Sequence, residues 1–157
     1  VNGHNRLPHI LTGFPAAASA FVAALENNRQ KIAREAGLTG SELRALFYVA
    51  RVVSTTPKEL ALHLEMTTGA VTAISRRLVD IDLLHRVDHP EDRRSLYLEL
   101  TNHGHNIMVQ LHGDFKKMLA ASTSSLNADE LELFTVGLSS VATEVKQHSG
   151  QPAAIAM

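Results

Sequence analysis

The sequence predicts a mainly α-helical chain that carries one small β-hairpin between helices. Three observations lead there. Apolar residues recur at helical spacing through most of the 157 residues. Capping signals punctuate them at Thr39, Thr56, Thr67 and Asn127. One stretch alone, residues 83–100, changes to a period of two around a polar, charged turn. With 45% hydrophobic and 20% charged residues, the chain has the usage of a folded domain long enough to bury a core. It contains no cysteine, which excludes disulfides, thiolate metal sites and a cysteine redox switch.

Taken in order, residues 10–25 are apolar and alanine-rich, and Ala16-Ala17-Ala18-Ser19-Ala20 has the small residues of a leader-cleavage site. Arg6 is the single preceding arginine, and Gly13 and Pro15 interrupt the run, so a leader is not expected. The run is also shorter than the roughly 20 residues that span a bilayer. No membrane association and a cytoplasmic location are the resulting expectations. Pro15 suits a first helical turn, Phe21, Leu25 and Ile32 follow at helical spacing, and Gly37 ends the helix. The alanine-rich face of this helix (about 15 to 36) allows another helix to approach closely, which favours packing on a partner subunit over packing on its own domain.

Thr39-Gly-Ser-Glu42 is a capping box. The helix it starts should bury Leu43, Leu46, Phe47 and Ala50, with Arg44 and Arg51 facing elsewhere. Thr56-Pro57-Lys58-Glu59 repeats the signal with proline at the first helical position. A short helix over 57–64 follows, then a tight connection at Glu65-Met66, and Thr67 caps the next helix. Two helices joined by about three residues describe a helix-turn-helix.

On the second of these, the spacing assigns Val71, Ile74, Leu78 and Ile81 to the core. Thr68, Gly69, Thr72, Ser75 and Arg76 fall on the other face. Small hydroxyls permit close approach, and a guanidinium suits guanine or phosphate. The first three turns of that face carry no acid, unlike an ordinary solvated helix. DNA contact is therefore assigned to Thr67, Thr68, Gly69, Thr72, Ser75, Arg76 and Arg77.

Leu83 to Val87 and Ser95 to Leu100 read as two strands of a hairpin. In the turn between them Asp92 could hold one of Arg93 and Arg94 extended while the other probes a minor groove. A plain surface turn with exposed ion pairs is the alternative. His89, Asp92, Arg93 and Arg94 are the wing candidates. Arg76, Arg77, Arg86, Arg93 and Arg94 are matched by Asp80, Asp82, Asp88, Glu91 and Asp92, and the chain has a formal charge of −1. Nucleic-acid affinity must then come from where the arginines point, not from a broad basic field.

From about Leu38 onward the chain resembles the MarR family of winged-helix transcriptional regulators. Asp92-x-Arg94 followed by Leu100-Thr101 resembles that family's wing, Thr56-Pro-Lys-Glu-Leu-Ala61 its first helix-turn-helix helix, and Thr67-Thr-Gly-Ala-Val-Thr72 the start of its recognition helix. One departure is Asp82, where the family usually places glycine; aspartate tolerates the left-handed conformation better than most residues. The resemblance implies a winged helix-turn-helix with long N- and C-terminal dimerisation helices (1–37 and 102–150) around a DNA-binding lobe (38–101). It implies a homodimer on a pseudo-palindromic DNA operator, usually repressing, and loosened by a small aromatic or phenolic effector. Geometry supports the dimer, since two recognition helices that read half-sites on one face of DNA must sit about one turn, roughly 34–36 Å, apart. Phe21, Phe47, Tyr48, Arg51 and His112 are candidates for the effector pocket.

Thr101 or Asn102 should cap a long helix bearing Met108, Leu111, Phe115 and Met118, and Asn127-Ala-Asp-Glu130 should open a last one with Leu131, Phe134, Leu138, Val141 and Val145 on one face. Residues 151–157 are expected to form a flexible tail. The nine histidines include no helical i, i+4 metal pair, so no metal or cofactor is expected. Nor is an enzyme, for want of a phosphate loop, a nucleophile motif or an HExxH signature. A winged-helix metal-dependent sensor or protein-interaction module is the alternative function.

Overall fold

A computed structural model describes residues 10–88 and 96–149. The element order is α1 (Gly13–Glu35), α2 (Gly40–Val52), β1 (Ser54–Thr55), α3 (Pro57–Leu64), α4 (Thr68–Asp80), β2 (Leu84–Asp88), β3 (Leu96–Leu100), α5 (Asn102–Ser122) and α6 (Ala128–Ser149). The mainly helical architecture with a small sheet agrees with the sequence reading. The chain separates into two compact units, residues 1–109 and 110–157.

Both capping boxes form. The Thr39 and Thr56 hydroxyls accept from the backbone N–H groups of Glu42 and Glu59, whose carboxylates accept in return from the Thr39 and Thr56 N–H groups. The helix ends are as specific as the starts. After α1, α3 and α4 the chain turns through a left-handed residue, Gly37 (φ 65°), Glu65 (φ 54°) and Asp82 (φ 58°). In each case the following amide reaches back to a helical carbonyl: Leu38 to Ala33, Met66 to Ala61 and Leu83 to Leu78. The left-handed conformation costs a non-glycine residue about 1–2 kcal/mol. At Asp82 that cost sets the exit of α4 into β2, and the tolerance expected of aspartate holds.

The sheet has three antiparallel strands in the order β1-β3-β2, one more than the hairpin expected. Ser54 and Thr55 pair with Glu99 and Leu98, while β2 runs from Leu84 opposite Leu100 to Asp88 opposite Leu96. Leu98 and Leu100 turn inward from β3 and join Leu43, Leu46, Val49, Leu60, Leu64, Val71, Leu78 and Leu84 in one core.

In α2 the buried stripe differs from the expected one. Leu43 and Leu46 are buried as expected, but Ala45 and Val49 complete the stripe, and Phe47 and Ala50 sit at its half-buried edge. The error is one of phase: Glu42 is itself drawn into the interior, rotating the inward face toward the N-terminal side of the spacing that was read.

Thr101 joins three elements. Its hydroxyl donates to the Asp82 carbonyl at 2.6 Å and accepts from the Gly104 N–H at 2.9 Å, and its own amide donates to Leu83. It is therefore the cap of α5, as expected. Gly104 lies so close behind it that an added Cβ would overlap the Leu83 carbonyl. The first turns of α5 down to the buried Met108 are thereby fixed on the lobe.

In the second unit, Ser122 ends α5, and Asn127 and Glu130 form a reciprocal cap that opens α6. Phe115, Met118, Leu131, Phe134, Leu138 and Val145 are exposed in the single chain. No helix among the described residues is long and apolar enough to cross a membrane.

Candidate nucleic-acid interface

Helix α4 is held on its inner side by Val71, Ser75 and Leu78, spaced i, i+4 and i+7. Ser75, read from the sequence as an outward DNA contact, is only 2% exposed and is corrected here to a core position. Its hydroxyl donates to the Val71 carbonyl at 2.8 Å, which satisfies a polar group buried in the apolar layer. Ile74 and Ile81, read as core, are only half-buried.

Thr67, Thr68, Gly69, Thr72, Arg76 and Arg77 all reach solvent, and Ala73, which the sequence reading passed over, lies among them. Each has a distinct local condition. The Thr67 hydroxyl accepts from the Ala70 N–H as the helix cap. Thr72 donates to the Thr68 carbonyl at 2.8 Å, so its hydroxyl keeps only acceptor capacity toward solvent. A Cβ at Gly69 would meet no neighbour within 4 Å. No internal contact therefore demands glycine there, and the bare backbone leaves room for something outside to approach.

The two arginines part company. Arg76 has no hydrogen-bond or ion-pair partner among the described residues. Arg77 is engaged: its Nη2 donates to the Gly37 carbonyl at 3.3 Å, and its Nε lies 3.6 Å from the Glu42 carboxylate. The outward face thus presents two threonines, a glycine, an alanine and one free-reaching guanidinium, with no acid before Asp80. Hydroxyls and small residues in front of a guanidinium permit a close fit to base edges and phosphates.

The wing candidates His89, Asp92, Arg93 and Arg94 lie outside the described residues. The strands that carry that turn are fixed by the register above, and His85 and Glu99 face each other across them at 3.8 Å.

Of the effector-pocket candidates, the structure brings Tyr48 and Arg51 together with a residue the sequence reading missed. His63 of α3 stacks on the Tyr48 ring, centroids 3.9 Å apart, and the Arg51 guanidinium lies 5.3 Å from the centre of that ring. Partial desolvation, then the charges of Arg51 and Arg44, hold the His63 imidazole below its ordinary range. Phe47 is half-buried, and Phe21 and His112 are exposed. Phe21 belongs to the first compact unit and His112 to the second. No group of three or more potential metal ligands occurs among the described residues.

Residues 36–95 match the model of the MarR family. Over those residues the winged lobe is similar to the MarR family. YhbI of Bacillus subtilis, described as an uncharacterized HTH-type transcriptional regulator, is 28% identical over 87 residues, 55% of this chain and 56% of YhbI. MgrA of Staphylococcus aureus, an HTH-type transcriptional regulator, is 31% identical over 75 residues, 48% of this chain and 50% of MgrA. The chain thus spans about half the length of the curated relatives it matches. Among solved structures, a mutant of S. aureus MepR bound to an oligodeoxyribonucleotide superimposes with a TM-score of 0.63. That match covers 86% of this chain and 99% of MepR at 18% identity, which establishes a shared fold.

Proposed function

We propose that this chain is a sequence-specific DNA-binding transcriptional regulator that acts as a homodimer on a pseudo-palindromic operator, as a repressor released by a small aromatic or phenolic effector. The observation that carries the DNA reading is the outward face of α4, in which Thr68, Gly69, Thr72 and Arg76 reach solvent on a helix whose other side is locked into the lobe. A helix of this kind fits a major groove, with its N-terminal residues at base edges. That the related MepR is seen with an oligodeoxyribonucleotide supports the same use of the fold.

The homodimer is supported by the apolar side chains that the single chain leaves in water on α6, among them Phe134 at 54% exposure and Leu138 at 44%. Apolar patches of that kind mark protein contacts. Dimerisation also doubles the phosphate contacts of a chain with a formal charge of −1. For the effector, the Arg51 guanidinium beside the stacked rings of Tyr48 and His63 offers a cation to a planar anion.

A gel-shift assay tests the DNA reading, using a duplex enriched from a randomised pool by the full chain. Arg76→Ala should weaken binding by about 1–3 kcal/mol, roughly five- to 150-fold. Unchanged affinity in that variant would mean that the outward face of α4 does not carry recognition.

A further inference from the structure

Glu42 is the only acidic residue among the described residues to be buried, at 6% exposure, and the chain needs to compensate it there. One carboxylate oxygen accepts from the Thr39 N–H at 2.7 Å, which starts α2. The other lies 3.6 Å from Arg77 Nε in the last turn of α4. The same guanidinium donates through Nη2 to the carbonyl of Gly37, the left-handed residue that ends α1. A single Glu–Arg pair therefore connects the end of α1, the start of α2 and the far end of α4.

Geometry makes this more than an ion pair on a surface. Arg77 precedes the core residue Leu78 and follows the outward-facing Arg76, so it sits at the border between the helix's inner and outer faces. A guanidinium is a planar fork whose N–H groups can engage a carboxylate and a carbonyl at once, which an ammonium on a flexible stem does less well. The buried contacts of Val71, Ser75 and Leu78 hold the inner face of α4 on the lobe. A directional tie at the border of the two faces adds a restraint on its rotation that non-directional apolar contact does not supply.

We infer that Arg77 is a positioning residue for DNA recognition: held by Glu42 and Gly37, it fixes the rotation of α4 on the α1–α2 junction and so aims Thr68, Thr72 and Arg76, without itself contacting DNA. The inference rests on the DNA reading proposed above. It also gives α1 a path to the recognition helix, since any shift of the Gly37 turn acts on Arg77 directly.

The test is a double-mutant cycle on the full chain with Arg77→Ala, Glu42→Gln and the pair. Binding is measured over a salt series to the enriched duplex and to an unrelated duplex of equal length. Glutamine retains the acceptor that caps α2, and circular dichroism and melting of each variant establish the folded fraction. Each single change should weaken the enriched duplex by roughly tenfold, and the pair by no more than the worse single, as expected of residues acting through one contact. Affinity for the unrelated duplex and the salt slope should stay as in the native chain. Arg77→Lys should recover only part of the loss.

Two results overturn the inference alone: additive losses in the pair, or a salt slope reduced by about one per bound protomer in Arg77→Ala, the sign of a lost phosphate contact. Failure of the native chain to enrich any duplex overturns the DNA reading, and this inference with it.

Discussion

The two compact units handle apolar surface in opposite ways. In residues 1–109 the buried hydrophobic side chains run from Ala33 to Met108 and close over Leu46, Leu60, Val71 and Leu98. In the second unit no hydrophobic residue among those described is buried, although Leu131, Phe134, Leu138 and Val145 are available. One unit completes a core from its own chain, although α1 leaves Phe14, Phe21 and Val22 exposed. The other displays the materials of a core without a covering layer, the layer that the proposed homodimer would supply, since apolar burial is the main favourable contribution to folding. The reading face sits on the self-sufficient unit, and the proposed means of pairing two such faces sits on the dependent one.

That contrast is most easily broken in α6. Phe134→Glu with Leu138→Glu should weaken self-association by about a hundredfold or more, because charges would occupy the centre of the proposed contact. Sedimentation would measure the shift, and the lobe's amide-exchange protection should persist. Loss of protection throughout the lobe would show that the two units are not independent in the sense argued here.

A core change should behave in the opposite way. Gly104→Ala places a Cβ against the Leu83 carbonyl and should destabilise the lobe by about 3 kcal/mol as an overpacking change against backbone. Urea unfolding reports it. A loss below 1 kcal/mol would mean that α5 can shift away from β2 without consequence.

The smallest expected effect concerns pH. The folded state holds the His63 imidazole below its ordinary value of 6.5, so the unfolded chain binds the proton more readily. The associated stability is present above 6.5 and is lost as pH falls through the lowered folded value. His63→Phe, which keeps a ring against Tyr48 but cannot titrate, should flatten the fall in melting temperature between pH 7 and pH 5. Parallel curves for the native chain and the variant would remove the stack from any pH response.

Much of this was legible in the sequence wherever a signal is local. Thr39, Thr56 and Asn127 announce their helices because a cap and its reciprocal acid lie three residues apart, and Asp82 stood out because the resembled family usually places glycine there. Strand β1 could not be read: two residues show no alternation, and it follows Val53, whose φ of 71° is a conformation that β-branched residues avoid. Ser75 was misplaced because its polarity suggested solvent, whereas the hydroxyl is satisfied within its own helix. The Arg77 to Gly37 contact spans 40 residues, and no spacing rule reaches so far. The same holds for Tyr48 and His63, which meet only once α2 and α3 are packed.

The central claim is that two copies of a self-sufficient reading lobe are joined through the apolar faces of the dependent unit. Its most direct test is the mass of the complex between the full chain and an enriched duplex, measured by sedimentation alongside the free chain. A dimer in free solution and two chains on each duplex are the predicted result. A monomeric chain that binds a duplex singly, with undiminished affinity, would contradict it.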